Sequence, residues 1–130
     1  IKYQKATWLK PAAWPWCAAF TAWVLKEAVA ASGRKDVVLC KDASAYGWET
    51  HGKKNGWILL PEDEPCLPGD FVTFDFSHIG VVTGSTQKLI RTVEGNTNGA
   101  GDRDSTTGDG VWEKSRVRSL VKTFIRIPGA

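Results

Sequence analysis

Two periodicities divide the chain. Between Cys17 and Ala31, apolar or small residues recur at positions 17, 20, 21, 24, 28 and 31, the spacing of one helical face. Pro15 just before this run and Ser32-Gly33 just after it supply start and stop signals. A second, weaker helix is predicted over Asp42–Lys53, with Asp42 as N-cap and Gly47 as its weak point. From Trp57 onward the pattern shortens to strand-length runs bounded by turn residues. Strands are predicted at Trp57–Leu60, Phe71–Phe76, His78–Thr83, Leu89–Glu94, Val111–Arg118 and Val121–Ile127. Gly95-Asn96 is expected to break the strand before it. Residues 1–14 read as an irregular entry, Pro61–Pro68 as a loop and Thr97–Gly110 as a mobile, Gly-rich excursion. The links between residues 71 and 94 are too short for crossovers, so these strands form an antiparallel meander. Helices first and strands afterwards predict an α+β fold, with N-terminal helices packed on one antiparallel sheet of about five to six strands.

Composition narrows the classes. The 130 residues suit a single domain over 1–130 with a real core. A net charge of +3 is mildly basic, which suits an anionic surface such as a bacterial wall. No dense Lys/Arg block points to nucleic acid, and no apolar run reaches membrane-spanning length. The sequence opens at Ile1 and contains no Met, so the domain is expected to be excised from a longer multidomain protein. Three cysteines cannot all pair within one chain, and none sits in a C-x-x-C. A Cys40–Cys66 disulfide and two free structural thiols remain open alternatives. Seven tryptophans are more than a core of this size needs. Trp14, Trp16, Trp48 and Trp112 are candidate walls of a substrate groove, and for Trp48 and Trp112 core packing is an equal alternative.

The candidate chemistry starts at Cys17. Its place at a helix N-terminus offers unpaired N–H groups and a dipole that favour a thiolate and an oxyanion beside it. The alternative is a small buried residue on the inner helix face. A cysteine nucleophile needs a base, and the chain holds only His51 and His78. His51 sits in a polar helix end and reads as solvated, whereas His78 opens a strand directly after a turn and is favoured. A catalytic imidazole also needs a group to fix its tautomer and plane. Counting from the 84–88 turn, Gly80 faces Glu94 or Thr92, and alternation puts His78 and Gly80 on one face. Glu94 then reaches the imidazole from the next strand, with Asn96 two residues further. The alternatives are a strand-end charge for Glu94 and a turn residue for Asn96.

Four segments, PWCAAF (15–20), LPGDFVTF (67–74), HIGVV (78–82) and VEGNTN (93–98), together resemble the CHAP domain. This is the cysteine- and histidine-dependent amidohydrolase/peptidase module of phage endolysins and bacterial wall hydrolases, related to NlpC/P60 and papain-like enzymes. The resemblance implies a papain-like fold, with Cys17 as nucleophile, His78 as base, Glu94 as the group that orients it and Asn96 as a fourth polar member. It implies a monomeric peptidoglycan hydrolase cutting an amide of the stem or cross-bridge, with a wall-binding domain elsewhere in the full protein. Such a module works on the bacterial wall, either as a phage lysin made in the host cytoplasm or as a secreted enzyme. No cofactor is implied. Some members bind calcium in an Asp-rich loop before the cysteine, but Lys10–Trp16 carries no carboxylate, so no metal is expected there. Asp102, Asp104 and Asp109 read as solvated loop charges. The rival readings are a thiol amidase acting on a small peptide-like conjugate and a catalytically silent wall-binding module.

Overall fold

The computed structural model describes residues 17–42, 44–76, 78–97 and 110–128, without the side chains of Ala19, Asn96, Thr97, Gly110 and Trp112. Two helices, α1 (Cys17–Ser32) and α2 (Gly47–Lys54), precede β1 (Ile58–Leu60), β2 (Phe71–Phe74), β3 (Ile79–Ser85), β4 (Leu89–Thr97), β5 (Gly110–Val117) and β6 (Val121–Arg126). The strands form one antiparallel six-stranded sheet in the order β1-β6-β2-β3-β4-β5. The expected meander is the run β2 to β4, and β5 extends it by pairing with β4. β6 then returns past it to pair with β2, and β1 pairs with β6 at the edge. The architecture is the α+β arrangement expected from the pattern.

α1 ends where Gly33 takes φ 71° and donates its N–H to the Val29 carbonyl at 3.1 Å. That left-handed closure favours glycine. The buried face of α1 is rotated from the expected one. Ala18, Ala22 and Leu25 enter the core, while Ala28 and Ala31 are exposed. Alanines at 18 and 22 let the helix axis come close to β3 and β4, which it packs against. α2 is shorter than expected. Asp42 does not cap it: its Oδ1 accepts the Ser44 N–H at 2.8 Å in a turn, and the helix begins only at Gly47. β4 also runs on through Gly95 and Asn96 to Thr97, because pairing with β5 carries it past the glycine with a register shift at 95–97.

Strand alternation separates two clusters, one on each face of the sheet. Paired Phe71 and Ile125 join Ala18, Leu25 and Trp48 on the helix side, while paired Val72 and Phe124 join Phe74, Val82 and Ile90 on the other. Glu94 has the parity of Ile90, so it points to the second face. The Pro68-Gly69-Asp70 turn has a structural role. Asp70 accepts the Leu67 N–H at 2.9 Å and a two-bond contact from Arg126 of β6 at 2.9 and 2.8 Å, tying the start of β2 to its neighbour. The three cysteines are free thiols. Cys40 lies in the first cluster and Cys66 in the second. Burial pushes the Cys40 thiol up to about 11, which suits an unreactive core residue.

Candidate active site

β3 and β4 fix the centre of the site. Val81 pairs with Val93 and Val82 with Thr92, so Gly80 falls opposite Glu94. His78 precedes β3 on the same side as Gly80, and its carbonyl accepts the Phe74 N–H at 2.9 Å. Its ring stacks on Phe76 at 5.5 Å and Phe74 at 5.8 Å, which sets the imidazole plane. His78 and Glu94 are both fully buried, and their side chains meet at 2.6 Å between Nε2 and Oε1. An ionised carboxylate only accepts, so the Nε2 proton belongs to His78. The other ring nitrogen, Nδ1, is buried and makes no hydrogen bond.

Cys17 opens α1 and keeps 6% exposure, whereas His78 and Glu94 keep none. Its sulfur acts on the His78 ring, and with Nε2 taken by Glu94 the nitrogen left for it is Nδ1. Burial alone lowers the proton affinity of the imidazole. The contacts with Cys17 and Glu94 outweigh it and raise the His78 pKa to about 9. Burial likewise pushes the Glu94 carboxyl up, but His78 and Arg116 together hold it well below the usual carboxylate range. The arrangement therefore favours an imidazolium between a sulfur and a carboxylate.

Glu94 has two further partners that the sequence reading did not include. Thr92 Oγ1 donates to Oε2, and Arg116 of β5 donates from Nε to Oε2 at 3.0 Å and from Nη2 to Oε1 at 2.5 Å. Arg116 is 1% exposed. In Val111–Val117 of β5 the residues alternating with Arg116 are Lys114 and Trp112, a pattern that does not mark the face as inward; the pairing with β4 does.

Gly80 makes room for this carboxylate. A Cβ at position 80 would stand 2.6 Å from Glu94 Cγ and 3.3 Å from the Val93 carbonyl. Glu94 is pinned by three side chains and cannot swing aside. Gly80→Ala is therefore expected to cost about 1–3 kcal/mol of stability and to slow turnover by displacing Glu94. Thermal unfolding and activity check this together, and an unchanged melting temperature with full activity would contradict it.

The remaining site expectations divide. Trp48 is corrected: it is fully buried, donates Nε1–H to the Asp42 carbonyl at 3.1 Å and packs edge-on to Phe71 at 5.0 Å. It is a core residue and lines no groove, because α2 turns its indole into the helix-side cluster. Trp14, Trp16 and the Asp102, Asp104 and Asp109 loop lie outside the described residues, as do the side chains of Trp112 and Asn96. By backbone register, Trp112 sits opposite Glu94 and Asn96 continues β4 two residues beyond it. His51 is partly buried rather than solvated: its Nε2 meets the Val38 carbonyl at 2.8 Å and its ring packs edge-on to Trp57. A cavity of about 780 Å³ lies along the C-terminal half of α1 and is lined by Leu25, Val29, Ile58 and Ile127. It includes neither Cys17 nor His78, and it is not the site. No protein-family model matches the chain, and no curated protein is significantly similar to it.

Proposed function

We propose that this chain is a cysteine-dependent amidohydrolase that cleaves an amide bond of bacterial peptidoglycan. The observation that carries the reading is the His78 ring, held by Glu94 through Nε2 at 2.6 Å and left with an unpaired, buried Nδ1 for Cys17. The choice of substrate rests on the four-segment resemblance to the CHAP domain and on the mildly basic charge of +3.

In this mechanism the Cys17 thiolate attacks the amide carbonyl carbon. N–H groups of the first turn of α1, which have no partner within the helix, face the developing oxyanion. His78 gives its Nδ1 proton to the leaving nitrogen as the C–N bond breaks, leaving a thioester on Cys17. Water then loses a proton to Nδ1 and attacks the thioester, which releases the acid and restores the ion pair. Glu94 keeps the ring turned and the imidazolium favourable throughout.

The test is mass spectrometry of fragments released from purified peptidoglycan by wild type beside Cys17→Ala. New amino termini on stem or bridge peptides identify an endopeptidase. Free lactyl groups on muramic acid with intact stem peptides identify an amidase. Equal release by the Cys17→Ala protein, or no release by wild type from several wall types, would contradict the reading.

A further inference from the structure

Arg116 stands on an edge strand, where a long cation ordinarily reaches water. Here its backbone lies opposite Ile90, and the side chain runs along the sheet face past Thr92 to the Glu94 carboxylate. The guanidinium carbon lies 5.5 Å from the Phe74 ring centre and 5.3 Å from that of Phe76, the two rings that also stack on His78. Glu94 Oε1 accepts from His78 and Arg116, and Oε2 accepts from Arg116 and Thr92. Each oxygen thus has two donors, and the carboxylate plane is fixed.

We propose that Arg116 is a positioning residue of this site: it locks the Glu94 carboxylate against His78 and sets the pH window in which the Cys17–His78 pair is charged. The inference rests on reading Cys17 and His78 as the reactive pair. A lone buried carboxylate would draw the imidazolium proton strongly toward itself. Paired with a permanent cation, Glu94 orients the ring through Nε2 while Arg116 offsets the carboxylate's charge. Among the described residues, the titratable and charged groups that face His78 are Cys17 from α1, Glu94 from β4 and, through Glu94, Arg116 from β5. β3 contributes none. Asp75, just after β2, is exposed, and Lys114, opposite Thr92, is half-buried.

Removing a fixed positive charge raises the proton affinity of every group near it. Arg116→Gln should therefore move both limbs of the Cys17 reactivity profile to higher pH, by roughly one unit. Arg116→Lys keeps a charge on a different arm and should shift them by less. The readout is iodoacetamide alkylation of full-length protein between pH 4 and 10, followed at the Cys17 peptide by mass spectrometry, with Cys17→Ala as blank. A merely structural arginine would lower folded yield and leave the limbs in place. Limbs coincident with wild type in both variants overturn the proposal. If the glutamine variant does not fold, limbs coincident in the lysine variant overturn it. The readout needs no substrate, so the two readings fail separately. Shifted limbs in a protein that releases no wall fragments refute only the peptidoglycan assignment. Wild-type fragment release with unmoved limbs refutes only the role of Arg116.

Discussion

Cys17→Ala is expected to reduce amide cleavage by about 10⁴-fold or more, because the covalent intermediate forms on its sulfur. Of the three cysteines, Cys17 is the one whose sulfur acts on the His78 ring. The fold should survive. The change removes one sulfur atom at the start of a helix whose packing depends on Ala18, Ala22 and Leu25, a loss of about 1 kcal/mol. It also removes the sulfur that raises the His78 pKa, so the ring in the variant should lose its proton at lower pH. Circular dichroism and thermal unfolding beside the turnover assay separate the two effects. Turnover near wild type would remove Cys17 from the mechanism, and global unfolding would make it a structural residue.

Glu94→Gln should be the most damaging change that keeps the shape of the site. The amide still fits over Gly80, but Arg116 loses the carboxylate that accepts from both its Nε and its Nη2. Breaking such a pair costs about 3–5 kcal/mol. Turnover should fall about 10³–10⁴-fold, since the ring is no longer held in the productive tautomer. The paired variant Glu94→Leu/Arg116→Met separates the causes. Two apolar residues should recover much of the lost stability and none of the activity. If the double variant were active, the carboxylate would have no catalytic part. The pH dependence of stability follows from the same pair. His78 has a folded pKa raised from 6.5 to about 9, so its contribution is complete below pH 6.5 and fades as pH rises through 9. The Glu94 value is depressed from 4.5, so its contribution is complete above pH 4.5 and fades in acid. Together they favour the folded state most between pH 4.5 and 6.5. Wild type should lose more stability than the double variant on either side of that range, as read by chemical unfolding across pH.

The sequence carried local order better than it carried what crosses the sheet. The spacing from Cys17 onward located α1 almost to the residue, and the 84–88 turn was enough to place Glu94 near His78. Both are local facts, set by one helix or one hairpin. What lay beyond was longer in range. The inward face of α1 depends on which small residues the sheet admits, and alanines at 18 and 22 carry no such label in sequence. Trp48 looks the same in a groove or a core until α2 is placed against Phe71. Asp42 has the chemistry of an N-cap and spends it on a turn at Ser44. Arg116 is the clearest case: it contacts Glu94 across 22 positions, and only the pairing of β4 with β5 reveals that a charged residue on an edge strand points inward. Counting from the 84–88 turn sets Gly80 against Glu94, but the need for a glycine there, room for the Glu94 side chain, is visible only in the register.

A proton NMR titration of the histidine ring protons reads directly whether His78 is held as an imidazolium beside Cys17. The chain has two histidines, His51 and His78, and His51→Gln assigns the signals. In wild type, His78 is expected to remain an imidazolium at pH 8 and to titrate near 9. In Cys17→Ala its midpoint should fall sharply, because burial then acts with only Glu94 against it. A His78 ring that is neutral at pH 7 in wild type, or that titrates at the same pH in both proteins, would contradict the account.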